Sequence, residues 1–240
     1  MTKLMMRTPT TAPITVALTA PGMQVTVEAV PGLTEATFEL SGPDETVRQA
    51  TATSVETAWV IDVPAPAPTV ISGDVFGSVV MSGGTTVING ATVTNGTVRG
   101  ATEPVTGLLR VPAGSLLGTR IDNGSVDTRG ALAGVHHQGR NSGLSVDMVG
   151  DLVFDGTNGS VSVGRAHGEI DVSTTNGSVS IGRSGPLTKV RSTNGNVLVH
   201  AGCPGRINAR TTNGHVSVHK AGHRVDATTS TSNGRDRVYA

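Results

Sequence analysis

One phrase constrains this chain more than any other: Thr-Asn-Gly followed by two alternating apolar residues, repeated at nearly constant spacing. It reads Thr157-Asn158-Gly159, Thr175-Asn176-Gly177, Thr193-Asn194-Gly195 and Thr212-Asn213-Gly214, with Val161/Val163, Val179/Ile181, Val197/Val199 and Val216/Val218 behind them. The glycines stand 18, 18 and 19 residues apart. A period of this length, with period-2 alternation nested inside it, is the signature of a stacked β-repeat. A row of ordinary hairpins is the competing reading, but two-residue hairpin turns do not require a constant period.

A second alternating set precedes each glycine by seven and five residues: Leu152/Phe154, Ile170/Val172, Ile207/Ala209 and the less regular Thr188/Val190. Each unit therefore holds two short strands, and at about 3.3 Å per residue its 18 residues trace roughly 60 Å. That is enough to wind once around a slim apolar core. The expected fold is all-β, a parallel β-solenoid of 18–20-residue coils with a small antiparallel β cap at its N-terminal end. Stacking places Asn158, Asn176, Asn194, Asn213 and also Asn233 in one column, where their amides bond up and down a ladder. Thr157, Thr175, Thr193 and Thr212 form the column beside it, with Ser, Thr, Asp and Lys facing water. Gly159, Gly177, Gly195 and Gly214 are read as turn residues, since Asn-Gly suits a bend with positive φ.

Taken in order, residues 1–12 read as a disordered Thr/Pro lead-in. Residues 13–63 alternate as Ile14/Val16/Leu18, Val25/Val27/Ala29, Ala36/Phe38/Leu40 and Trp59/Ile61/Val63, broken by Pro21-Gly22, Pro31-Gly32 and Ser41-Gly42-Pro43-Asp44. They read as a small antiparallel unit that covers the open end of the stack, with Trp59 as its core anchor. Pro64, Pro66 and Pro68 make 64–68 an extended connector, and 69–240 is the repeat domain. Glycines crowd in from 69 to 100, so stacking is expected to start there. Residues 101–118 break the pattern and read as an irregular coil or protruding loop; the repeat falters again across 135–143. Asp236 stands where a buried valine is expected, so the stack should stop near it.

Balanced charge, 18 basic against 18 acidic residues, supplies no net field for nucleic acid or an anionic membrane. The five aromatic residues, Phe38, Trp59, Phe76, Phe154 and Tyr239, leave few platforms for stacking bases or sugars. No apolar run is long enough for a membrane helix, and the amino terminus shows no signal-peptide core, so a cytoplasmic location is expected. The single Cys203 lies in a small-residue bend and has no partner for a disulfide. Histidine is the best place to look for chemistry. His200 and His219 share one offset in adjacent coils and should stack, which makes them a weak candidate metal pair with nothing to complete the ligand set. His136 and His137 read as solvated. Arg165, Arg183 and Lys220 share the next offset as a short basic column, while Asp155, Glu169 and Asp171 fall at scattered offsets. No catalytic residue and no cofactor is assigned.

The Thr-Asn-Gly/Ser-Val-Ser-Val phrase, with Gly168-Glu169-Ile170-Asp171-Val172-Ser173-Thr174 and Gly205-Arg206-Ile207-Asn208-Ala209-Arg210-Thr211 before it, resembles the bacterial "putative adhesin" family of β-strand-repeat domains of unknown function. The likeness spans roughly 70–235 and is strongest over 150–220. It implies a parallel β-solenoid and offers no catalytic residues to transfer. The function expected is a non-enzymatic structural or interaction protein that meets a protein or glycan surface, with homo-oligomers possible and neither nucleic acid nor a membrane span involved. A self-assembling cytoplasmic scaffold of the bactofilin kind is the alternative. A carbohydrate-active β-helix enzyme ranks third, since it needs converging carboxylates.

Overall fold

Alternating apolar and polar residues send their side chains to opposite sides of an extended chain. In a computed structural model that describes residues 2–10, 12–65 and 104–240, this pattern yields nineteen strands and one short helix. In chain order these are β1 (Thr2–Pro9), β2 (Thr15–Thr19), β3 (Met23–Val30), β4 (Glu35–Gly42), α1 (Asp44–Gln49), β5 (Thr51–Val55), β6 (Ala58–Asp62), β7 (Val105–Pro112), β8 (Leu116–Arg120), β9 (Ser125–Gly139) and β10 (Gly143–Asn158). Then follow β11 (Val161–Ala166), β12 (Glu169–Asn176), β13 (Val179–Ser184), β14 (Leu187–Asn194), β15 (Val197–Ala201), β16 (Gly205–Asn213), β17 (Val216–His219), β18 (Val225–Asn233) and β19 (Asp236–Tyr239).

The chain winds into a parallel β-solenoid of about seven turns, and each coil gives one strand to each of two stacks. The first stack runs β7, β3, the front halves of the long strands β9 and β10, then β11, β13, β15, β17 and β19. The second runs β6, β2, β8, the back halves of β9 and β10, then β12, β14, β16 and β18. Antiparallel pairing occurs at the N-terminal end: β1 with β4, β4 with β7, and β5 with β6.

The core lies between the stacks as columns of like residues. Val126, Leu144, Val161, Val179, Val197 and Val216 follow one another inside the first stack. Leu117, Val135, Leu152, Ile170, Thr188 and Ile207 do so inside the second. Full burial of one such valine or isoleucine contributes about 1.5–3 kcal/mol. At the N-terminal end Phe38, Leu40 and Trp59 are fully enclosed, and α1 turns Val47 inward. Trp59 is thus the anchor its position suggested.

Several expectations are corrected. Residues 2–9, read as a disordered lead-in, form β1 and pair with β4 along their whole length. Strands β2 and β3, assigned to an antiparallel cap, enter the parallel stacks directly. The segment read as irregular holds β7 and β8, both in parallel register. Its long-range partners β2 and β3 lie some 80–100 residues earlier, where no local period points to them. Nor does the repeat falter over 135–139, which complete β9. Thr174, Ser192 and Thr211 are buried rather than water-facing, while Thr188, read with the inner alternating set, is buried as that set implies. Most of the connector and the glycine-rich stretch to 100 lie outside the described residues.

The Asn column exists and is longer than expected. Six amide-to-amide hydrogen bonds of 2.6–2.7 Å run through Asn123, Asn141, Asn158, Asn176, Asn194, Asn213 and Asn233, each Nδ2 donating to the preceding Oδ1. Of the motif glycines only Gly214 takes a positive φ, at 155°; the other three are not explained by turn dihedrals. Gly32 does sit in a left-handed bend at φ 72°, with open space around it, but Gly159, Gly177 and Gly195 do not take positive φ. They are glycine because successive coils touch there: a Cβ on Gly177 would lie 2.0 Å from the Gly159 carbonyl oxygen, and one on Gly195 would lie 2.1 Å from that of Gly177. At these three positions close approach, not backbone conformation, selects the residue.

Replacing Gly195 with Val should therefore destabilise the stack by about 3 kcal/mol, the upper end of the usual cost of overpacking, read from urea unfolding. Gly32→Ala, strained in its dihedral but free of collision, should cost about 1 kcal/mol; equal losses at the two positions would contradict the contact explanation. Asn194→Ala leaves the Asn213 amide without its acceptor and the Asn176 oxygen without its donor. Because both groups reach water, a loss of about 1 kcal/mol is expected in the same measurement.

Candidate functional site

On the outside of the first stack, the residue just past the second core position of each coil points away from the core. His200 pairs in register with His219, and His219 with Tyr239. Their rings stack with centroids 4.4 Å apart at both steps and planes inclined by 22° and 13°. Ring spacing close to the strand spacing is what parallel register imposes on flat side chains. The rings form a half-exposed ladder that leads toward the C-terminal edge.

In the coils before His200 the equivalent position is glycine, Gly182 and then Gly164, and before those comes Asp147. The missing side chains leave an open trench lined by Asp147, Met148, Gly164, Arg165, Gly182 and Arg183. Arg165 and Arg183 stand exposed along it. Three basic side chains of neighbouring strands meet carboxylates across coils: Lys189 with Glu169 at 2.9 Å, Arg191 with Asp171 at 3.7 Å and Arg206 with Asp226 at 3.3 Å. Among the described residues, no carboxylate lies within ion-pair distance of Arg165 or Arg183. Asp147 Oδ2 accepts a hydrogen bond from the Gly130 N–H at 3.2 Å, which fixes it at the trench end. Beyond Arg183, a second hollow runs along Ala166, His167, Ser184 and Cys203.

The basic column is thus only partly assembled. Arg165 and Arg183 occupy successive coils, but Ala201 interrupts the series before Lys220. Glu169 and Asp171, scanned for catalysis, are taken up in the ion pairs above. The structure does bring His200 and His219 together, but in a geometry that opposes chelation. A metal sits on the lone pair within the imidazole plane, at about 2.0–2.1 Å for zinc. Two nearly parallel planes 4.4 Å apart share no such point unless a ring turns. Among the described residues, no group of three or more His, Cys, Asp or Glu side chains could hold a metal ion.

His137, expected to be solvated, is fully buried. It occupies a core position between Thr119 and Phe154 in the second stack. Its Nδ1 lies 2.7 Å from Thr119 Oγ1 and its Nε2 lies 2.8 Å from Ser142 Oγ. The ring also stacks on Phe154 with centroids 5.2 Å apart. A neutral imidazole satisfies both hydroxyls, donating from one nitrogen and accepting at the other. Burial pushes its pKa down to about 4, with a smaller push from His136. This constellation resembles a nucleophile and its base in composition, yet no water or substrate reaches a residue that is 0% exposed. It is a core polar plug, and only the alternation Val135–His137 could have marked it as inward-facing.

No protein-family model matches the chain, and no curated protein matches it. Among solved structures, a "putative adhesin" from Parabacteroides distasonis ATCC 8503 is similar with a TM-score of 0.51 at 12% identity, covering 98% of this chain and 96% of that one. The likeness shows a shared fold. A "putative adhesin" from Parabacteroides merdae ATCC 43184 gives a TM-score of 0.48 at 10% identity, covering 99% and 95%. The β-solenoid implied by the sequence resemblance is therefore the fold observed, and no helix among the described residues is long and apolar enough to cross a membrane.

The His137 network carries a pH signature. Its folded pKa lies below the unfolded value, so the unfolded chain takes up the proton first as pH falls. The stabilisation is complete above about pH 6.5 and is lost progressively toward pH 4, about 3 kcal/mol in all. Urea unfolding at pH 7 and pH 4.5 should show this loss in the wild type and a clearly smaller one in His137→Leu.

Proposed function

We propose that this chain is a non-enzymatic, adhesin-like β-solenoid whose rigid outer face binds a protein or glycan surface. The observation that carries this reading is the contrast between the two sides of the first stack. Its interior is filled by register-locked valines, whereas its exterior sets a stacked ring ladder beside a bare glycine trench and the exposed Arg165 and Arg183. Groups held by a stacked backbone lose little entropy when a partner arrives, which favours recognition over turnover. The likeness to "putative adhesin" structures agrees with this reading. The carboxylates already engaged in cross-coil ion pairs weigh against a glycosidase, which needs two carboxyl groups facing one bond. The cytoplasmic location expected from sequence is part of the proposal, and fractionation of the native cells addresses it.

One feature favours the bactofilin-like alternative: among the described residues β18 and β19 lie last in the two stacks, and Val238 and Tyr239 are exposed there. Asp236 in the valine register opposes it, since apposed ends would bring that carboxylate into an interface. Full-length protein screened on glycan and protein arrays should retain specific partners while remaining monodisperse in light scattering. Filaments that grow with concentration would select the scaffold, and the absence of any retained partner would overturn the binding reading.

A further inference from the structure

We propose that the trench over Gly164 and Gly182 is a binding site for acidic sugar units, pyranose rings that carry a carboxylate or sulfate. This inference rests on the surface-binding reading above and names its ligand class. Shape is the first argument. Six successive coils share one outward position, and the two that carry glycine lie between Asp147 on one side and the ring ladder on the other. The gap is two strand spacings wide, about 10 Å. The glycines are required in any case, because a Cβ on Gly164 would lie 2.6 Å from the Asp147 carbonyl oxygen and one on Gly182 would lie 2.7 Å from that of Gly164. What the gap offers a ligand is set by the side chains around it.

His200 provides a stacking surface. One of its faces is covered by His219 at 4.4 Å, and the other is turned toward the coil of Gly182. A flat ring lying over Gly182 would continue the ladder one strand spacing further, presenting the apolar C–H face of a sugar to the imidazole. Charge is the third argument. Arg165 and Arg183 bring two like charges to adjacent coils along the trench and, as with Arg210 and Lys220 elsewhere, no carboxylate among the described residues lies within ion-pair distance of them. A planar guanidinium fork matches the two oxygens of a carboxylate or sulfate. At the far end Asp147 keeps one carboxylate oxygen free of the Gly130 bond, ready to accept from sugar hydroxyls. Arginine, a flat face and a hydroxyl acceptor together favour an acidic sugar over nucleic acid.

The experiment titrates the full-length chain, by calorimetry and by NMR shifts, with digalacturonate and a heparin-derived disaccharide, against neutral galactobiose and inorganic phosphate. The acidic sugars should bind at least about tenfold more tightly than the neutral one. The double variant R165Q/R183Q, altered only at exposed side chains, should lose at least about tenfold in affinity with an unchanged melting temperature. H200A should lose a few-fold for sugars. Failure of the acidic sugars to bind the wild type, or equal binding by R165Q/R183Q, would overturn the proposal. Phosphate binding as tightly as the sugars would reduce the trench to a simple anion site and overturn the sugar assignment. A partner from the arrays that binds R165Q/R183Q as well as wild type would refute this site while leaving the surface-binding reading standing.

Discussion

Every feature of this protein depends on one coil lying directly on the next in parallel register. Backbone groups that would be orphaned at a bend find partners in the neighbouring coil: the Gly177 N–H donates to the Asn194 carbonyl at 3.0 Å, and the Gly195 N–H to that of Asn213 at 3.0 Å. The turns are therefore bonded as thoroughly as the strands. That closeness leaves no room for a Cβ at the motif glycines. The same repeat distance places each asparagine amide within reach of the next, so one contact distance governs backbone, turn composition and polar ladder together.

The stack also explains how polar groups survive inside it. Hydroxyls just inside the turns donate across coils, Ser192 to the Gly177 carbonyl at 3.2 Å, Thr211 to that of Gly195 at 3.0 Å and Thr231 to that of Gly214 at 3.0 Å. His137 follows the same logic with a larger group, because Thr119 and Ser142 supply partners and Phe154 a face. The adjacent coils answer His137 and burial keeps that imidazole neutral, whereas the buried hydroxyls of Thr128, Thr174, Ser184 and Thr188 have no hydrogen-bond partner.

Outside the stack the same register works without burial, and there the coils are free to differ. Core positions repeat valine because each must fill the same slot, whereas the outward series runs Asp147, Gly164, Gly182, His200, His219 and Tyr239. Variation on a rigid repeat turns a periodic scaffold into a non-periodic surface. Recognition by such a protein is expected where the period breaks on the exterior, not where it is kept.

The four Thr-Asn-Gly phrases were enough, as sequence alone, to determine the coil length, the valine columns, the amide ladder and the His200–His219 stack, because these follow from a period and an alternation. Asn123 and Asn141 escaped that reading as ladder members, since the first lies beyond the regular run and the second is followed by Ser142-Gly143 instead of glycine. Only the tertiary structure decided that β7 and β8 pair with β2 and β3, that His137 is enclosed, and that the motif glycines answer to the coil beneath them. Each of those depends on contacts between residues far apart in the chain, and a local pattern carries no information about what lies across a coil boundary until the coils are stacked.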